Sequence, residues 1–121
     1  MSEAEGPWLV ACLCAAWCGS CRDYRAVFAG VADGHPDKRF VWVDIEDESD
    51  ALAPWDLDIE NFPTVLVALG DELRFLGTLL PHAATLARTL AATRDAVLVD
   101  RPADWGHGLV ARVREIGETL R

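Results

Sequence analysis

The sequence predicts an α/β or α+β sandwich, a mixed sheet with helices on both faces, and three stretches carry that expectation. Residues 8–15, WLVACLCA, are nearly all apolar and show no polar face at either period, as in a strand buried on both sides. A segment of helical spacing follows at once, so the next strand must return by a right-handed crossover and pair in parallel. Residues 64–76 then hold two short apolar runs around Gly70-Asp71, the pattern of a β-hairpin that adds an antiparallel edge.

The elements follow in order. A helix is expected from Gly19 to about Val31, with Cys21, Tyr24, Arg25 and Phe28 at helical spacing, and Gly34-His35-Pro36 ends it. Residues 40–43 are β-branched and aromatic, a second short strand. In the acidic run that comes next, Ser49 or Asp50 caps a short helix through Leu57, with Pro54 in or near its first turn. Residues 64–68 form a third strand and residues 73–76 a fourth, which Gly77 ends. From Pro81 a helix runs to about Thr93, with Ala83, Leu86, Ala87 and Leu90 on one face.

The order is therefore β-α-β-(α)-β-β-α, followed by a tail. In the tail, Leu109, Val113, Ile116 and Leu120 recur as one stripe of a helix, suited to covering a sheet face or edge or to docking a partner. Residues 1–95 are expected to form the domain and residues 96–121 a C-terminal extension packing on it, a single domain overall.

Composition narrows the function classes. With 121 residues, 51% of them hydrophobic, the chain is long enough to bury a core and too apolar for disorder. A net charge of −9 disfavours phosphate backbones and anionic head groups, so no nucleic acid and no membrane partner is expected. The N-terminus lacks a basic n-region and its apolar run is too short to span a bilayer, which points to a cytoplasmic protein. The four cysteines all fall between positions 12 and 21; in a reducing compartment such a cluster is more often catalytic or metal-binding than structural.

The chemistry centres on Trp17-Cys18-Gly19-Ser20-Cys21, where a buried strand hands over to a helix. At a helix N-terminus the first N–H groups lack intrahelical partners and the dipole favours negative charge, so a thiolate at Cys18 is stabilised. Cys21 lies one turn deeper on the same face, close enough to close a disulfide with Cys18 yet shielded from solvent. Cys18 then attacks a substrate disulfide, and Cys21 displaces the reduced substrate from the mixed disulfide. The catalytic pair is Cys18 and Cys21, with no cofactor and no metal required. Cys12 and Cys14 share one face of the first strand, where a core role is the simplest reading; a Cys12–Cys21 disulfide or a site of all four thiols are the sharper ones.

W-C-G-x-C after an apolar strand, then Phe62-Pro63-Thr64 before the third strand, resembles the thioredoxin family over roughly residues 8–93. The resemblance implies a thioredoxin-like three-layer sandwich with a mixed four-stranded sheet, flanking helices and, here, an extra C-terminal helix. It implies a protein-disulfide oxidoreductase acting on disulfide-bearing proteins and reset by an NADPH-linked reductase. Pro63 matches the family's cis-proline, an isomer that X–Pro bonds adopt at small cost. Gly77 matches a glycine beside the substrate groove. The substrate-binding set is then Trp17, Gly19, Ser20, Phe62, Pro63, Thr64 and Gly77.

The departures are equally specific. Ser20 stands where the family usually has proline, and the residues between the cysteines help set the reduction potential. Cys12 occupies the position of the family's buried aspartate, six residues before Cys18, and Trp42 that of its lysine partner. Slower or differently pH-dependent resolution by Cys21 is the expected consequence. About seven residues precede the first strand, where the family has a further strand and helix, and the tail is the material available to cover that side. Trp8, Trp42, Trp55 and Trp105 read as core or edge packing, and His35, His82 and His107 as surface or capping residues. An adaptor or assembly-chaperone module with little redox turnover is the competing reading.

Overall fold

The computed structural model describes residues 8–15, 18–55, 57, 59, 63–99 and 106–120. The elements are β1 (Trp8–Cys14), α1 (Gly19–Asp33), β2 (Lys38–Asp44), α2 (Ser49–Leu52), β3 (Thr64–Leu69), β4 (Glu72–Thr78), α3 (Ala83–Asp95), α4 (His107–Ile116) and β5 (Glu118–Thr119). A 3-10 turn over Ala53–Trp55 extends α2. The strands form one mixed sheet in the order β4-β3-β1-β2-β5. β1 is parallel to β2 and antiparallel to β3, while β3–β4 is the expected hairpin, its turn made by Gly70 at φ 62°.

The apolar run of residues 8–15 is central because every side chain from Leu9 to Cys14 is buried. Alternation splits these residues between two cores. Leu9, Ala11 and Leu13 face a cluster with Val41, Val43, Leu66 and three residues of α4. Val10, Cys12 and Cys14 face the other, with Cys21, Tyr24 and Phe28 of α1 and Leu86 and Leu90 of α3. The sheet is thus sandwiched between α1 and α3 on one side and α4 on the other.

Several boundaries differ from the sequence reading, each for a local reason. The sheet has a fifth strand: α4 ends at Ile116, and the chain turns at Gly117 to pair Glu118 and Thr119 with the β2 edge. Leu120 therefore lies outside the helical stripe, and its backbone N–H donates to the carbonyl of Phe40 at 2.8 Å. β4 continues through Gly77 to Thr78, because Gly77 pairs with Val65 within the ladder. α2 is a single turn capped by Glu48 and closes at Leu52, with Pro54 inside the 3-10 turn rather than in a longer helix.

α4 is held by burial. Leu109, Val110 and Val113 are all 0% exposed. At about 1.5–3 kcal/mol for each fully buried aliphatic side chain, they supply a sizeable part of the ~5–15 kcal/mol that separates a folded domain from its unfolded chain. Trp8 and Trp42 pack on the α1/α3 side of the sheet and Trp55 on the α4 side; Trp105 lies outside the described residues. His35 accepts the expected capping role, its Nδ1 2.9 Å from the carbonyl of Val31 at the end of α1. His82 is the exposed residue that starts α3.

Candidate active site

β1 delivers the chain to one end of the sheet, and α1 begins there after the connection that holds Trp17. Cys18 is the N-cap of α1: its φ and ψ are extended, and its carbonyl accepts the N–H of Arg22 at 3.2 Å. Among the described residues no side chain caps this helix, and no acidic residue stands in its first turn, so Cys18 is the residue at the positive end of the helix dipole. Cys18 is partly exposed, Gly19 and Ser20 are exposed, and Cys21, one turn on, is buried. The expected contrast between an accessible and a shielded cysteine is present.

The disulfide in the structure is a different one from that expected of the motif. Cys21 is bonded to Cys14, with Cα atoms 5.8 Å apart, while Cys18 and Cys12 are free thiols. Cys14 is thus not a plain core residue, and neither is Cys12 the partner of Cys21. The reason is positional: Cys14 is the last residue of β1, on the face that α1 covers, so its side chain meets the first turn of the helix. The sequence signal was partial: Cys14 shares a face with Cys12 near the end of the apolar run, but where the strand ends against α1 is set by packing.

Cys12 sits two residues back on the same face, its Sγ 3.5 Å from that of Cys14. Cys14 carries no proton in the disulfide, so Cys12 is the donor of that S–H···S contact. Burial raises the Cys12 thiol well above its ordinary range, with the Arg25 guanidinium opposing in part. It therefore stays protonated, and a carboxylate's role in accepting a proton here is lost. Arg25 reaches this neighbourhood over the ring of Trp42, at 5.2 Å, and pairs with Glu118 of β5 at 3.0 Å. Trp42 is the direct β2 neighbour of Cys12 in the ladder. The hydroxyl of Tyr24 is buried without a hydrogen-bond partner among the described residues.

The second predicted segment converges on the same end of the sheet. Thr64 pairs with Leu13, so Pro63 stands at the level of Cys14. Pro63 is buried, and its carbonyl accepts the N–H of Leu79 at 3.1 Å, which ties the loop after β4 to this end. Thr64 is 5% exposed, its Oγ1 3.5 Å from that of Thr78. Gly77 lies in β4, two strands from β1, where an added Cβ would come 3.3 Å from the ring of Phe75. The site thus gathers Cys14, Cys18, Gly19, Ser20, Cys21, Pro63 and Thr64, with Gly77 farther along. Trp17 and Phe62 lie outside the described residues. Among the described residues, no group of three or more His, Cys, Asp or Glu side chains is arranged to hold a metal ion.

The family profile described as Thioredoxin matches residues 1–78. The chain belongs to the thioredoxin family. It is 32% identical over 56 residues to Thioredoxin H4-2 of Oryza sativa, covering 46% of this chain and 42% of that protein. It is 38% identical over 53 residues to a thioredoxin of Mycoplasma genitalium, covering 44% of this chain and 50% of that one. The alignments thus span about half the length of these curated thioredoxins or less. Among solved structures, Fasciola hepatica thioredoxin superposes with a TM-score of 0.63 at 22% identity, covering 75% of this chain and 85% of the other. Spinach chloroplast thioredoxin F, long form, gives 0.63 at 23%, covering 76% and 74%. These superpositions establish the thioredoxin fold, the three-layer sandwich that the motif implied. No described helix is long and apolar enough to cross a membrane.

Proposed function

We propose that this chain is a thiol–disulfide oxidoreductase that reduces protein disulfides, with Cys18 as nucleophile and Cys21 as resolving cysteine. One observation carries the reading: a partly exposed cysteine caps α1, and one turn on lies a buried cysteine whose sulfur is already engaged in a disulfide. The Cys18 thiolate attacks one sulfur of a substrate disulfide, forming a mixed disulfide and releasing the other sulfur as a thiolate. Cys21 then attacks Cys18, forming an intramolecular disulfide and freeing the reduced substrate. Pro63 and Thr64 bind the substrate backbone, Gly19, Ser20 and Gly77 make further substrate contacts, and the family resemblance assigns Trp17 and Phe62 to the same role.

No cofactor enters this cycle. The protein works in the cytoplasm, and an NADPH-linked reductase of the kind that serves thioredoxins returns the dithiol. Resolution is slow relative to a chain with an aspartate at position 12, because the protonated Cys12 thiol accepts no proton from Cys21. That feature favours the second reading, an adaptor or assembly module with little turnover.

Insulin disulfide reduction with dithiothreitol as electron source separates the two. An oxidoreductase accelerates insulin precipitation catalytically, and Cys18→Ser abolishes the acceleration. An adaptor gives the uncatalysed rate with or without the substitution.

A further inference from the structure

We propose that Cys14 is a third redox cysteine, which displaces Cys18 from Cys21 and stores the disulfide inside the fold as Cys14–Cys21. The proposal rests on the assignment of Cys18 and Cys21 made above, and it gives the oxidised protein two isomers instead of one.

Cys21 has two partners within reach. Cys18 precedes it by three residues at the start of α1, which places the two side chains on one helix face. Cys14 is bonded to it across the strand–helix junction, with a Cα separation of 5.8 Å, inside the range that disulfides span. The two bonds differ in exposure. Cys14 and Cys21 are 1% and 2% exposed, whereas Cys18 is partly open to solvent. A Cys14–Cys21 bond is shielded from external thiols, and Cys18 is the thiol adjacent to it on the solvent side.

The exchange balances without an added oxidant. Substrate reduction leaves Cys18–Cys21 as a disulfide and Cys14 as a thiol. Cys14 gives its proton to the buffer and attacks the Cys21 sulfur. The Cys14–Cys21 bond forms, the Cys18–Cys21 bond breaks, and the electron pair leaves on Cys18 as a thiolate. Nothing is oxidised or reduced overall. Cys12 supports the attacking group: its thiol, 3.5 Å from the Cys14 sulfur, donates to Cys14 in the disulfide state and is placed to donate to the Cys14 thiolate before attack. Reversal runs through Cys18, so the same surface thiol is both the entrance and the exit of the store.

Two consequences are measurable. The oxidised protein keeps a free, alkylatable Cys18. Stabilising the oxidised form also makes the protein a stronger reductant, and a tenfold preference for the inner isomer corresponds to a potential about 30 mV more negative than that of a variant lacking Cys14.

The test is a disulfide map of the full chain. The reduced protein is oxidised with glutathione disulfide, quenched in acid, alkylated, and digested with chymotrypsin and trypsin. Cleavage after Leu13, Trp17 and Arg22 separates residues 14–17 from residues 18–22. The proposal predicts that the 14–17 peptide is linked to the 18–22 peptide, with Cys18 alkylated, in at least tenfold excess. It is overturned if the 18–22 peptide is closed on itself and Cys14 is alkylated. In Cys14→Ala, Cys18 becomes protected from alkylation; if that variant does not fold by circular dichroism, the wild-type map alone decides.

Cys18→Ser keeps the two claims apart. With the surface entrance gone, it should lose insulin reduction and close Cys14–Cys21 with glutathione disulfide far more slowly than the wild type. Retained insulin reduction would defeat the assignment of Cys18 itself. Lost reduction together with a Cys18–Cys21 map in the wild type would defeat the role of Cys14 alone.

Discussion

One chemical change, glycine to alanine, should move stability in opposite directions at Gly117 and Gly30. At Gly117, between α4 and β5, an added Cβ would lie 2.7 Å from both Cβ and Cγ2 of Val41 and 2.9 Å from the carbonyl oxygen of Val113. Carbon atoms pack at about 3.5–4.0 Å, so the junction must retreat by up to roughly an ångström. Val41 is 0% exposed in β2 and the Val113 oxygen is helix backbone, so neither is free to yield. The retreat pulls β5 from β2 and lengthens the Leu120–Phe40 hydrogen bond. Overpacking of this kind costs about 1–3 kcal/mol. At Gly30, an exposed position within α1, an added Cβ meets nothing within 4 Å. Alanine there should stabilise by about 0.5–1 kcal/mol, through its better helix propensity and a less mobile unfolded chain.

Urea unfolding under reducing conditions, followed by tryptophan fluorescence, reads both. At a slope of about 2 kcal/mol per molar urea, Gly117→Ala should lower the midpoint by roughly 0.5–1.5 M and Gly30→Ala raise it by a few tenths. A Gly117→Ala midpoint equal to wild type would refute the claim that the tail lies against β2 as a structural part of the sheet.

Three further outcomes follow from the neighbourhood of Cys12. Cys12→Asp restores a titratable carboxyl behind the cysteines, and stopped-flow resolution of a mixed disulfide at Cys18 should become faster and acquire a new pH dependence; an unchanged profile would remove Cys12 as the cause of slow resolution. Burial raises the pKa of both Cys12 and Tyr24, from ordinary values of 9.0 and 10.0. The unfolded chain therefore loses these protons first, so the stability of the reduced protein is full below about pH 9 and falls as pH rises beyond it. Cys12→Ala should flatten that fall, and an identical slope in urea titrations at pH 8 to 10.5 would contradict it. Tyr24→Phe removes a buried hydroxyl that has no partner among the described residues, so it should raise stability by about 1 kcal/mol; a loss of comparable size in the same assay would show that the hydroxyl is bonded.

Much of the architecture was legible because period and burial agree. The run of residues 8–15 has no polar face because both of its faces are cores, and Gly70-Asp71 marks a hairpin because a positive φ is needed there. The tail was legible as apolar but not in its form. Leu109 and Val113 keep the helical stripe, whereas Leu120 fits it by spacing alone, since Gly117 ends the helix and β2 offers an open edge. In the site, Cys18 and Cys21 stood out by motif, but the bond between Cys14 and Cys21 depends on where β1 ends relative to α1. Spacing within the chain does not encode that relation; the packing of α1 on the sheet does. Gly77 was likewise visible as a residue but misplaced at a strand end, because strand pairing with Val65 overrides its low propensity.

The most direct test of the central claim is a redox titration of the purified protein in glutathione buffers, counting free thiols, alongside Cys21→Ser. Cys21 is common to both disulfides, so the protein should show a reversible two-electron couple at about −200 to −270 mV that the substitution abolishes. Absence of a couple in the wild type, or its persistence in Cys21→Ser, would contradict the assignment of this chain as a dithiol oxidoreductase.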